Sequence, residues 1–184
     1  MTVKRRSGEE TRAAILAATK RLFAEKGFDR ATIRNIAAEA GCDPALVMRY
    51  FGSKRKLFFE AVDSPLESFP DAQPGTPGQL PEIAASLLEH WHQDKTFFGL
   101  LRAAASDEEA AALMREFFEL RVREHQPRVT GLPPDQAVCF GAMIVGIAFG
   151  REVTRIPPLA NMTSEELGAM IGKVFCACNP PADG

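Results

Sequence analysis

Between Ser64 and Pro81 the chain carries five prolines and two glycines. Each proline fixes its own φ and lacks a backbone N–H, so no helix or central strand can run through the stretch. The 184 residues must therefore fold as one part before this break and another after it, joined by a linker at 63–80. On both sides apolar residues recur at helical spacing. Val, Ile, Thr and Tyr do not gather into alternating runs bounded by turns. The expected fold class is all-α, with about nine helices.

The two parts differ in charge. Residues 1–62 hold 13 Lys/Arg against 7 Asp/Glu, a net of +6; residues 63–184 hold 9 against 17, a net of −8. A basic head on an acidic body suits a head that meets a polyanion, although charge runs are most often solvated faces. Met1 to Glu10 is polar and lacks the apolar stretch of a secretory signal. The longest apolar stretch, Ala137 to Phe149, is too short to span a bilayer. A cytoplasmic protein without a membrane partner is expected. Cys42, Cys139, Cys176 and Cys178 form no C-x-x-C pair and no zinc-finger spacing, so they read as reduced thiols.

Helix signals mark the units. Ser7-x-x-Glu10 is a capping box ahead of a helix on which Ile15, Leu16, Leu22 and Phe23 share a face, and Gly27 ends it. Thr32 caps a short helix to Ala40. Pro44 opens a second, and Ser53 caps a fourth running from Lys54 to about Asp63. Beyond the break, helices are expected from Pro81, over Lys95–Ala105, Glu108–Gln126 and Asp135–Ile156, and after the Thr163-x-x-Glu166 box. Pro127 to Pro134 reads as a second break, and the tail from Asn179 as frayed.

The segment Thr32 to Phe51 meets the steric needs of a helix-turn-helix. Ala37 is small enough to lie where two helices cross, and Gly41 accepts a left-handed turn. Ile33, Ile36, Ala40 and Val47 have the spacing to face inward. The bland alternative is an ordinary pair of short helices. Beyond spacing, Ile15-Leu-Ala-Ala-x-x-x-Leu-Phe-Ala-Glu-Lys-Gly-Phe28, Ala31-Thr-Ile-Arg-Asn-Ile-Ala-x-x-Ala-Gly41 and Tyr50-Phe-Gly-Ser-Lys54 with Leu57 and Phe58 resemble the DNA-binding domain of TetR-family regulators. The resemblance covers about fifty residues. The rest of the chain matches the family in layout only.

The resemblance implies a three-helix DNA-binding head over residues 1–62 and a helical effector-binding and dimerisation domain over 81–184. It implies phosphate contacts from Thr32, Tyr50 and Lys54. Arg34 is the candidate for a bidentate guanine contact, and Ala45, Leu46 and Arg49 face the groove. Asp43 is placed either to read bases or to cap the recognition helix. Leu46 and Met48 depart from the family's usual small hydroxyl residue and Tyr, which leaves the operator sequence open. Lys4, Arg5 and Arg6 read equally as a minor-groove arm and as a disordered basic terminus.

In the second part, Ala142, Gly146 and Gly150 place small residues along one helix, and Met170 and Val174 sit on the last helix. The resemblance makes these a dimer interface; core packing inside one subunit is the alternative. His90, Trp91, Phe97, Phe98, Phe117, Phe118 and Arg121 are the candidate effector pocket, although aromatics at helical spacing are more often core. His90 and His92 point in different directions on a helix and make a poor metal pair, so no metal and no cofactor is expected.

No nucleophile elbow, P-loop, H-E-x-x-H or dinucleotide fingerprint is present, and Asp107-Glu-Glu109 reads as a helix start, so no enzyme is expected. The reading is a transcriptional repressor with three partners: a palindromic double-stranded DNA operator, a second copy of itself, and a small-molecule effector that releases it. The rival is a helical interaction module controlled by a protein partner, or one whose DNA-binding head has degenerated.

Overall fold

The computed structural model describes residues 7–62, 65–72 and 79–178, with side chains at all of these except Pro65, Glu67, 121–126 and Cys178. The basic residues Lys4 to Arg6 and the tail from Asn179 lie outside the described residues. Eleven α-helices, one 3₁₀ turn and one π turn make up the regular structure, with no strand among the described residues. The chain forms two compact units, and residues 94–114 pack with the first of them.

The first unit holds α1 (Gly8–Arg30), α2 (Ile33–Ala40), α3 (Pro44–Phe51), α4 (Lys54–Ala61), α6 (Thr96–Ala104) and α7 (Glu108–Phe117) as far as Met114. The Ser7–Glu10 capping box forms, with the Glu10 amide donating to Ser7 Oγ at 3.1 Å and the Ser7 amide to Glu10 Oε2 at 2.7 Å. Gly27 interrupts α1 at φ 79°, and one further turn carries it to Arg30. Phe23, Phe28 and Phe58 form the aromatic centre, with ring centroids 5.4–5.7 Å apart. Burying each of these rings contributes about 1.5–3 kcal/mol.

Residues 94–114, expected in the second domain, belong to this unit because α6 crosses α1 at close range. Gly99 makes the approach possible. A Cβ there would stand 2.0 Å from the Phe23 carbonyl oxygen. Phe97, Phe98 and Leu100 are fully buried around it. Polar bonds fix the crossing at both ends: Lys20 Nζ pairs with Asp94 at 2.9 Å, and Arg102 donates to the Ala24 carbonyl at 2.9 Å.

The second unit holds the 3₁₀ turn Pro65–Ser68, α5 (Leu80–Gln93), the π turn Phe118–Val122, α8 (Arg123–Thr130), α9 (Pro134–Glu152), α10 (Pro157–Ala160) and α11 (Ser164–Cys178). Part of the expected linker is packed structure. Leu66 is buried, the Ala72 amide donates to the Arg128 carbonyl at 2.8 Å, and Asp71 pairs with Arg128. These contacts hold the end of α8, which runs through Pro127 where the sequence suggests a break; the helix stops only before Gly131, at φ 68°. Gly168 and Gly172 let α11 lie against the start of α5, since a Cβ at either would stand 2.5–2.6 Å from Pro81. Thr163 and Glu166 form the expected capping box. A polar chain links three helices of this unit: Arg151 donates to Ser164 Oγ, which donates to Glu89, and His92 pairs with Glu152 at 2.7 Å.

Candidate nucleic-acid interface

Local chemistry sets the α2–α3 geometry. Thr32 caps α2 by accepting from the Asn35 amide at 3.2 Å, and its hydroxyl also donates to Asn35 Oδ1. Gly41 terminates α2 in the left-handed region at φ 66°, ψ 43°, a conformation that costs any residue with a Cβ about 1–2 kcal/mol. The chain thus turns within three residues, and Asp43 caps α3 by accepting from the Ala45 amide at 2.7 Å. Asp43 is therefore engaged as a cap. Ile36, Ala37, Ala40, Val47 and Phe51 are buried between the helices, while Ile33 is only half-buried.

The opposite faces point to solvent. Thr32, Arg34, Ala45 and Arg49 are exposed and Leu46 is half-buried. Met48, where the sequence departs from the family, is 44% exposed on α3. Arg49 lies over the Tyr50 ring at 5.4 Å, which orients both side chains at low entropic cost. The Tyr50 hydroxyl sits beside the start of α1, 3.2 Å from where a Cβ on Gly8 would stand. The scaffold beneath is tied by Arg12, which pairs with Glu60 and covers the Phe51 ring at 5.1 Å, and by the Arg21–Glu39 pair. Lys54, expected on a phosphate, is turned inward. Its ammonium lies 4.2 Å from the Phe28 ring centroid and donates to the Asp29 carbonyl at 3.2 Å.

A capped two-helix hairpin with a buried seam and an exposed, cation-bearing face is a DNA-reading geometry. Comparison with known proteins decides which kind. Residues 15–61 match the family model described as bacterial regulatory proteins, tetR family, and residues 80–178 match the model of the tetracyclin repressor-like C-terminal domain. The chain belongs to the TetR family. It is a helix-turn-helix transcriptional regulator.

Among TetR relatives, the transcriptional repressor NicS of Pseudomonas putida is 32% identical over 106 residues, 54% of this chain and 50% of that protein. A transcriptional repressor of Mycobacterium tuberculosis is 46% identical over 55 residues, 30% of this chain and 29% of that protein. These matches span half or less of the curated relatives. Solved structures match over nearly the whole length. A TetR-family regulator from Streptomyces coelicolor is 26% identical with a TM-score of 0.51, covering 95% of this chain and 98% of that one. NalD, the secondary repressor of the MexAB-OprM multidrug efflux pump in Pseudomonas aeruginosa, shares the fold at 22% identity and a TM-score of 0.59, covering 93% and 97%.

The candidate pocket residues of this TetR chain are divided between its units. Phe97 and Phe98 are core of the first, 1% exposed and stacked edge-on at 5.9 Å. Trp91, Phe117 and Phe118 belong to the second; Trp91 and Phe117 are buried, and Phe117 and Phe118 stack at 6.1 Å. Arg121 lies in the π turn, its side chain outside the described residues. His90 lines an open groove of about 390 Å³ with Ser86, Glu89, Gln93 and Glu165. The hydroxyl of Ser164 and the Gln93 amide hold the Glu89 carboxylate below its ordinary pKa. Among the described residues, no cluster of His, Cys, Asp and Glu could hold a metal, and no helix is long and apolar enough to cross a membrane.

Of the expected interface residues, Ala142 and Gly146 are exposed on α9, and Met170 and Val174 are 49% and 50% exposed on α11. Gly150 departs from this stripe: it is buried under Leu159 and Ile156 of the α10 elbow, and a Cβ there would stand 2.7 Å from Leu159 Cδ1. Val138, 40% exposed, takes its place one turn before Ala142. The sequence reading missed Gly99, Gly168 and Gly172 as crossing points. The small-residue repeat Gly168-x-x-x-Gly172 was the available signal for two of them.

Proposed function

We propose that the chain is a repressor that binds a palindromic DNA operator as a homodimer and is released by a small molecule bound in its C-terminal domain. One observation carries the DNA reading: the α2–α3 hairpin buries its apolar seam and leaves Arg34, Ala45 and Arg49 on an exposed face of a head with net charge +6. In this reading Arg34 contacts a guanine edge, and Arg49 and Ala45 lie in the major groove with Leu46 beside a thymine methyl. Tyr50 and the α2 N-terminus at Thr32 meet phosphates. Two such heads on one dimer read half-sites about one helical turn apart.

The dimer reading rests on Val138, Ala142, Gly146, Met170 and Val174, an apolar face on α9 and α11 that is exposed in the protomer. Effector binding would change DNA affinity by a coupling of roughly 1–3 kcal/mol. The names of NicS and NalD support repression as its sign.

Selection of duplexes from fragmented genomic DNA, with affinity then measured against salt, tests this function. The expected result is an enriched palindrome, bound by a dimer, whose affinity falls steeply with salt and is lost in Arg34→Ala. Met170→Glu with Val174→Glu should give a folded monomer that binds the same duplex weakly. A folded dimer that enriches no sequence would sink the operator reading and favour a protein-controlled module with a degenerate head.

A further inference from the structure

We propose that Met48 is a specificity-determining residue of the DNA-reading face, and that with Pro44 and Ala45 it selects thymine by its C5-methyl group. The inference deepens the operator reading above and rests on it. Helix α3 sorts its side chains by position. Val47 and Phe51 are buried, while Pro44, Ala45 and Met48, at spacings i, i+1 and i+4, share an exposed face. Met48 is 44% exposed. Among the described residues it is the first unit's one large hydrophobic side chain left so open; Leu120, Val138, Ile156, Met170 and Val174 lie in the second unit.

The polar groups around this strip are already engaged. Pro44 has no N–H to offer a base. The Ala45 amide donates to Asp43 Oδ1 at 2.7 Å, and the Leu46 amide donates to the Asp43 carbonyl at 2.9 Å. Arg49 is drawn over the Tyr50 ring at 5.4 Å, away from Met48. Leu46, on the other flank, is half-buried. The N-terminal part of a recognition helix is the part that enters the major groove, and here it presents carbon. A base-edge donor or acceptor pressed against carbon loses water and gains no partner. The thymine methyl is the one carbon group that a base pair displays in that groove, so it alone gains from the contact. An unbranched thioether can adjust its rotamers to meet it. The net charge of +6 on residues 1–62 supplies the attraction to a polyanion that an apolar strip lacks.

The test uses the duplex selected by the wild-type protein, remade with deoxyuridine at each thymine in turn. That change removes one methyl and leaves every hydrogen-bonding group. At the thymine under Met48, wild-type affinity should fall about fourfold per half-site, the worth of one buried methyl. Met48→Ala should lose a similar amount on the thymine duplex and bind thymine and uracil duplexes alike. Its slope of log affinity against log salt should match wild type, because no phosphate contact is lost. Its urea midpoint should also be unchanged, since the side chain is exposed. Leu46→Ala should keep the full uracil penalty. A selected half-site without thymine, a wild-type protein indifferent to uracil at every position, or a penalty undiminished in Met48→Ala would overturn the proposal and leave the operator reading standing. A penalty that vanishes in Leu46→Ala instead would assign the contact to Leu46 and overturn it as well. Enrichment of no duplex at all would remove the operator reading and this one together.

Discussion

Two glycines in helix interiors face opposite circumstances. Gly99 in α6 lies so close to α1 that a Cβ would stand 2.0 Å from one backbone oxygen and 3.5 Å from the Gly27 Cα. Gly146 in α9 has nothing within 4 Å of the same position. Each costs its helix about 0.5–1 kcal/mol relative to alanine. At Gly99 the crossing of α1 and α6 accounts for that cost. At Gly146 no contact among the described residues of the protomer does. A crowded glycine records an approach inside the chain, while an open one on an apolar face is consistent with an approach from outside it.

The sharpest test of this contrast is Gly99→Ala. The new methyl has backbone on its far side, which cannot rotate away, so the helices must separate. A loss of about 3 kcal/mol is expected, the upper end of overpacking costs, seen as a lower urea midpoint. An unchanged midpoint would mean that α6 does not cross α1 this closely. The returning segment, residues 94–114, would then be loosely attached to the head.

The same crossing should also respond to acid. Burial alone would raise the Asp94 pKa. Hydrogen bonds from the Thr96 hydroxyl, Lys20 and the Thr96 amide outweigh it and hold the carboxyl below its ordinary value. A carboxylate depressed in the folded state contributes stability above its unfolded pKa of about 3.9 and loses that contribution as pH falls through the folded value. Asp94→Asn should therefore cost about 1–2 kcal/mol at neutral pH. The gap to wild type should close below about pH 4. A gap that stays constant with pH would show that shape, and not charge, holds the start of α6.

What the sequence disclosed follows the range of the interactions. Ser7, Thr32, Asp43, Ser53 and Thr163 bond to amides two or three residues away, so the side chain and its partner stand together in the sequence. Gly41 is legible for the same reason. The crossing of residue 23 by residue 99 leaves no local period, so the packing of residues 94–114 against α1 is not legible in the sequence. Pro127 is misread because its helix is held by Asp71 and Ala72, more than fifty residues earlier. The contact made by Lys54 is hidden for the same reason. Its place in the family motif suggests a phosphate, and only the folded chain brings the Phe28 ring beneath it.

The smallest expected effect bears on the other side of the comparison. Gly146→Ala should stabilise the isolated protomer by about 0.5–1 kcal/mol, since the methyl meets only solvent and the helix gains the propensity difference. That gain is measured in a Met170→Glu, Val174→Glu background, where association is removed. In the otherwise unaltered chain the same methyl should weaken association if α9 of a second copy passes close by. The two effects have opposite signs, so sedimentation and urea unfolding separate them. If alanine stabilises the protomer and leaves association untouched, the copies do not meet at Gly146. The proposed dimer face would then be confined to Val138 and the exposed edge of α11.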